Sequence, residues 1–206
     1  MFELKPISLD SIPAALERAE RYRLLNEPTE AESICLDVID VDPNNQRALT
    51  VLLLALTDQF EANERPSAVA EATKILLRLD DDYRKLYYHG VICERRAKSH
   101  FRRGRMNDRF NAYEWFRHAM EYYERAEVIR PEGNDEAILR WNACARTLNR
   151  HRELEPARED AGPAPSVDGV HRPEQVEHRP SGEHERHGPR LDHERERAGQ
   201  RDERSD

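Results

Sequence analysis

The sequence lacks the features of membrane, secreted and disulfide-bonded proteins. Its most apolar stretch, residues 48–56, falls far short of the about 20 residues that span a bilayer, so we expect no membrane span. Residues 1–6 do not combine a positive start with an apolar run, so no secretory signal is expected. The three cysteines, Cys35, Cys93 and Cys144, are far apart and form no CxxC pair, which predicts buried, reduced thiols. We therefore expect a cytoplasmic protein.

Residues 151–206 also lack the side chains that build a core. This segment has no Phe, Trp, Tyr or Lys, and it carries 15 acidic residues against 10 Arg. Such a composition cannot bury enough apolar surface to offset the entropy of ordering the backbone. We therefore expect one domain over residues 1–150 and a disordered, charged tail over residues 151–206. The net charge of the whole chain is −8, which argues against general attraction to nucleic acid.

Motifs that carry catalysis or bind cofactors are missing as well. The sequence has no G-x-S-x-G, H-E-x-x-H or EF-hand pattern, and Gly90 and Gly104 are isolated rather than part of a phosphate-binding loop. His89, His100 and His118 occur singly on helical stretches. We expect no catalytic residue, no metal site and no cofactor, and so no enzyme.

An internal repeat of helix pairs is what the sequence does contain. The first copy covers residues 12–45, with Ala19 and Tyr22 on the first helix and Ala31 on the second. Pro43 ends the second helix because its ring cannot continue the hydrogen-bond ladder. A second, looser copy has apolar residues at helical spacing over residues 46–60 and 68–79.

A third copy contains an insertion. Gly90 and Ala119 match Ala19 and Ala31, but an extra 17 residues separate them, and Pro131 closes the copy. The simplest way to accommodate the insertion is to lengthen both helices. The sequence therefore predicts an elongated helical hairpin near residues 94–118, with its turn at Gly104.

A final helix follows Pro131, with Trp141, Cys144, Ala145 and Leu148 spaced as at the start of a repeat. The alternation of small, aromatic, small and proline residues resembles the tetratricopeptide repeat (TPR) family over residues 12–150. The resemblance implies an all-α solenoid of three helix pairs plus a capping helix, seven helices in a right-handed superhelix. It also implies a protein-binding scaffold whose partner docks on a concave face.

The same resemblance implies which residues face a partner. In the family the first helix of each copy lines the concave face, and the matching positions mix apolar residues with Arg and Glu, as suits a peptide. These residues are Leu16, Glu20, Arg23, Arg47, Thr50, Leu54, Asp58, Arg84, Tyr87, Val91 and Glu94. The positions with which some family members grip a C-terminal carboxylate hold only one suitable cation, Arg84, so that binding mode is not expected.

The predicted hairpin offers an alternative surface. Its basic residues, opposed by Asp108 alone, are Arg95, Arg96, Lys98, Arg102, Arg103, Arg105 and Arg109. With the neighbouring aromatic residues they could bind an acidic protein, a nucleic-acid backbone or an anionic membrane surface. The basic residues could instead keep long helices soluble, with the aromatic residues packing those helices together, or the acidic tail could fold back over them.

Overall fold

The structure, a computed structural model, describes residues 2–60 and 66–155. These residues contain helices and no strand, which confirms the predicted all-α class. The α-helices are α1 (Ile12–Leu24), α2 (Pro28–Val41), α3 (Gln46–Asp58), α4 (Pro66–Leu76), α5 (Asp82–Arg103), α6 (Met106–Val128) and α7 (Glu136–Arg150). Two 3₁₀ turns, Leu9–Ser11 and Arg152–Leu154, flank them. The chain divides into two compact units, Met1–His171 and Arg172–Asp206, and the described residues all belong to the first.

The helix ends follow from residues that favour starting or stopping a helix. Pro28 stands at the start of α2, where its missing N–H costs no hydrogen bond. The Asn45 side chain caps α3 by accepting from the Ala48 amide at 2.9 Å, and Asp81 caps α5 in the same way. Gly104 ends α5 in the left-handed conformation, at φ 67°, and the chain turns there into α6.

Each helix packs on the next along the chain, and the odd-numbered helices also contact one another. Contacts join α1 to α3 and α3 to α5, so these three helices lie side by side. Each even-numbered helix packs against the two odd-numbered helices that flank it in sequence. The longest helices, α5 and α6, share the most extensive contact.

The buried residues form two adjoining apolar clusters. One is built from α1 to α4, with Ile92 of α5 joining it. The other is built from α5, α6 and α7 and contains Trp115, Phe116 and Tyr123. Tyr88 packs against both clusters, and Leu54 of α3 packs against the second.

Gly90 marks the closest approach of α5 and α6. A Cβ placed on Gly90 would lie 2.5 Å from Cε1 of the Tyr123 ring, a distance that real Cβ atoms do not reach. The ring of Tyr123 is fully buried and therefore has little room to move. Only glycine allows the two helices to approach this closely.

The packed region extends past the boundary that the sequence predicts. The 3₁₀ turn after α7 places Leu154 against α6, where it is 1% exposed. The His151 ring lies 4.7 Å from the Phe101 ring, measured between centroids. Residues 151–155 therefore belong to the helical domain rather than to the tail. The remainder of the predicted tail, residues 156–206, lies outside the described residues.

Candidate functional site

A carboxylate on α3 connects three odd-numbered helices. Asp58 accepts a hydrogen bond from Nε of Arg23 at 2.9 Å, and a terminal nitrogen of Arg95 lies 3.0 Å from its other oxygen. The three side chains are between 17% and 27% exposed, so the group lies at the surface without being fully solvated. One negative charge here is shared by two positive charges.

A second ion pair joins α1 and α3 nearby. Arg47 donates to both oxygens of Glu20, at 2.9 and 3.0 Å, which is the bidentate geometry that arginine favours. Both side chains are more than 40% exposed, so this pair contributes little to stability.

Arg84 of α5 contacts α3 through neutral oxygens. Its guanidinium donates to the Thr50 hydroxyl and, at 3.4 Å, to the Gln46 carbonyl. The Tyr88 hydroxyl also lies beside it, one turn further along α5. Arg84 thus donates hydrogen bonds to neutral acceptors, and none of these contacts supplies a carboxylate that would balance its positive charge.

Glu94 is the centre of a buried polar cluster between α5, α6 and α7. Its carboxylate accepts from the Tyr123 hydroxyl at 2.7 Å and from Lys98 at 2.5 Å, and Arg140 lies 3.4 Å away. Burial alone would raise the pKa of Glu94. The two neighbouring cations and the hydroxyl outweigh burial, so the pKa lies below its ordinary value and Glu94 is ionised at neutral pH.

The predicted concave-face residues divide into two groups. Five of them pack into the protein, at 9% exposure or less: Leu16, Thr50, Tyr87, Val91 and Glu94. These side chains pack against neighbouring helices and offer a partner little surface, so direct contact at these positions stays a prediction. The others remain exposed or half-buried: Glu20, Arg23, Arg47, Leu54, Asp58 and Arg84.

Four further residues complete this surface, and the sequence assigned none of them to it. Arg95 and Lys98 were expected on the basic hairpin, and Tyr88 and Arg140 are not among the predicted concave-face residues. We define the odd-helix face as Glu20, Arg23, Arg47, Leu54, Asp58, Arg84, Tyr88, Arg95, Lys98 and Arg140. Arg95 and Arg140 pair with residues distant in sequence, Asp58 and Glu94, and helical spacing holds no signal for such pairs. Lys98 and Tyr88 stand one helical turn after their partners on α5, Glu94 and Arg84.

The seven basic residues of the hairpin do not form one patch. Arg95 binds Asp58 on the odd-helix face and Lys98 binds the buried Glu94, while the Arg96 guanidinium stacks over the Trp115 ring at 3.5 Å from its centroid. The other four, Arg102, Arg103, Arg105 and Arg109, are exposed around the turn at Gly104. Here His100 lies 2.8 Å from Asp108, and Arg103 lies 3.0 Å from the same imidazole. We call these four arginines the hairpin tip.

The three cysteines and one histidine, His89, are buried. All three cysteines are free and buried, and burial raises the pKa of each thiol to about 12, so the nucleophilic thiolate is not populated at neutral pH. His89 stacks on Tyr122 with ring centroids 3.7 Å apart, and burial lowers its pKa to about 4.

No group of three or more potential metal ligands occurs in residues 2–60 and 66–155. Nor is any helix in that part of the chain long and apolar enough to cross a membrane.

Comparison of the sequence with protein-family models and with curated proteins, and of the fold with solved structures, finds no match. The resemblance to the TPR family therefore stays a prediction from the residues themselves.

Proposed function

We propose that the chain is a TPR-type α-solenoid that acts as a protein-binding adaptor, with a peptide segment of its partner docked on the odd-helix face. The observation that supports this most directly is the character of that face. Side chains from four successive odd-numbered helices meet there, and the half-buried Leu54 and Tyr88 lie among charged groups. Apolar anchors within a charged rim are what a peptide-binding surface requires.

The test is peptide selection on the full-length chain followed by substitution. Peptides selected from a random display library are labelled, and their affinity is measured by fluorescence anisotropy. We expect Leu54→Ala to weaken binding at least about fivefold, because truncating one apolar anchor costs about 1 kcal/mol or more. Leu77→Ala, which removes an exposed leucine after α4, serves as the matched control and should leave affinity unchanged.

Selected peptides that bound Leu54→Ala as tightly as the parent would contradict docking on this face. Thermal unfolding of each variant shows whether it is folded at the assay temperature, which separates a lost contact from a lost fold. Removing Leu54, which packs against the second cluster, is expected to lower stability modestly.

A second candidate function is binding of an anionic partner at the hairpin tip. It is favoured by the exposure of Arg102, Arg103, Arg105 and Arg109 around one turn. Reversing Arg102, Arg103 and Arg105 to Glu should abolish such binding. The affinity of the parent should also fall steeply as salt rises, because tip contacts are solvated and screened. Binding that persisted in the reversed variant would exclude the tip.

A further inference from the structure

The two sets of helices carry opposite charge. The odd-numbered helices α1, α3, α5 and α7 contain 14 Lys and Arg against 6 Asp and Glu. The even-numbered helices α2, α4 and α6 contain 4 Lys and Arg against 10 Asp and Glu. The helices that form the proposed docking surface are therefore strongly basic, although the whole chain is acidic.

The same excess is present on the odd-helix face itself. The face contains six cations and only two carboxylates, while the buried Glu94 pairs with two of the cations. The cations are Arg23, Arg47, Arg84, Arg95, Lys98 and Arg140, and the carboxylates are Glu20 and Asp58. Asp58 and Glu94 are each shared by two cations, so their partners keep part of their capacity to attract another anion.

Two arginines have hydrogen-bonding capacity that the fold does not use fully. Arg84 bonds only neutral oxygens in the contacts described above. Nε of Arg95 is buried and has no hydrogen-bond partner among the described residues. Because this atom is buried, an incoming acceptor reaches it only if the Arg95 side chain shifts, and a partner would first meet the terminal nitrogens of Arg95 and Arg84.

We propose that the odd-helix face binds an acidic polypeptide segment, whose Asp and Glu side chains pair with Arg84, Arg95 and Lys98 while its apolar residues contact Leu54 and Tyr88. The proposal rests on the adaptor function above and specifies the chemistry of the partner. Charge complementarity supports it, because this face carries six cations and only two carboxylates, Glu20 and Asp58.

A nucleic-acid backbone fits this face less well. Glu20 and Asp58 lie among the cations and would repel a uniformly charged phosphate chain. Tyr88 is the one aromatic residue of this face and is half-buried, whereas proteins that bind single strands use several exposed aromatic rings on which successive bases stack. A polypeptide with mixed acidic and apolar side chains matches both features.

The experiment uses the full chain and four labelled probes in fluorescence anisotropy. Three are short peptides with blocked ends, alternating Leu with Glu, Gln or Lys, and the fourth is a thymine oligonucleotide. The test variant combines Arg84→Gln with Lys98→Gln. Its control combines Lys74→Gln with Arg117→Gln, which removes the same charge from exposed positions on α4 and α6.

We expect the Glu–Leu peptide to bind most tightly and the test variant to bind it about tenfold more weakly, since two partly exposed ion pairs are lost. The control should change affinity less than about twofold. Lys98→Gln removes one partner of buried Glu94, so circular dichroism checks the fold. If the double variant unfolds, Arg84→Gln alone should weaken binding about threefold.

Each of the other possible results would contradict the proposal, and each has a different cause that the probes and variants identify. Tighter binding of the Gln–Leu or Lys–Leu peptide would show that the face does not select an acidic partner. If Leu54→Ala weakened that binding, the adaptor function would still be supported. Equal weakening in the control would mean that net charge, rather than the odd-helix face, attracts the peptide. Tighter binding of the oligonucleotide than of any peptide would mean that the ligand is nucleic acid rather than polypeptide. Absence of binding by any peptide, together with failure of the display selection, would contradict both proposals.

Discussion

At the scale of single residues, the sequence predicts packing positions better than it predicts contacts. The sequence matches Gly90 to Ala19 of the first copy, a position occupied by a small residue in both, and the structure places Gly90 against Tyr123. The partners of buried Glu94 could not be foreseen in this way. Lys98 is one helical turn away, but Tyr123 and Arg140 come from other helices. A contact of that kind depends on how two helices are rotated against each other.

The substitution Gly90→Ala tests the close approach of α5 and α6, through the sign of its effect on the free energy of unfolding. In a helix without constraints this change stabilises by about 0.5–1 kcal/mol, because alanine is the better helix former. Here the new methyl group would lie 2.5 Å from a buried ring, so α5 and α6 must separate. We expect a net loss of about 1–3 kcal/mol, measured by urea unfolding. A stabilised variant would show that the ring can move aside.

At the scale of the elements, helical periodicity predicts where helices lie but not which side faces a neighbour. The apolar spacing and the Pro, Asn and Gly signals indicate helices in the regions where the structure has them. Leu16 and Val91 were nevertheless expected on an open face and lie in the core. Repeat alignment assigns a face from an average geometry. The actual burial depends on how far neighbouring helices roll towards each other.

The contact of α5 with α6 makes stability depend on pH through His89. Burial, aided by Arg125 and His118, lowers the pKa of His89 to about 4 from 6.5. Between these values the unfolded chain binds a proton that the folded protein does not, so stability is full above pH about 6.5 and falls towards pH about 4. The loss amounts to about 3 kcal/mol for this group.

His89→Phe should remove that part of the pH dependence, because phenylalanine keeps a ring against Tyr122 and does not titrate. Urea unfolding of parent and variant between pH about 7 and about 4 gives the difference. Other groups, including His100, whose pKa burial also lowers, contribute equally to both proteins. Parallel stability curves for the two would mean that His89 is protonated in the folded state or lies in contact with water.

At the scale of the whole molecule, the class of fold was predictable and the limits of the domain were not. All-α structure follows from repeated helical patterns and the absence of strand patterns. Leu154 was missed because a single leucine in a charged stretch has no periodic neighbours to mark it. The position of Arg95 on the odd-helix face was not predicted, for a related reason. Local sequence places Arg95 beside the other hairpin arginines, whereas the packing of α5 on α3 places it with Asp58.

Shortening the chain tests where the domain ends. A chain ending at Glu155 should unfold at the same temperature as the full chain, because residues 156–206 lack the side chains that build a core. A chain ending at Arg150 loses the fully buried Leu154 and the contact of His151 with Phe101. We expect it to be less stable by about 2–4 kcal/mol, as judged by thermal and urea unfolding. Identical melting of both shortened chains would place Leu154 outside the cooperative core.

The opposite charges of the odd- and even-numbered helices also give the helical domain an electric dipole, directed across the helices rather than along them. Packed helices lie about 10 Å apart, which is close to the Debye length of about 8 Å at physiological salt. At longer range an approaching molecule therefore meets the screened net charge, which is negative. Within the last few ångströms it meets the dipole, which turns the basic side towards an anion. The approaching molecule is therefore oriented only late in the encounter, and the orienting effect becomes stronger as the salt concentration is lowered.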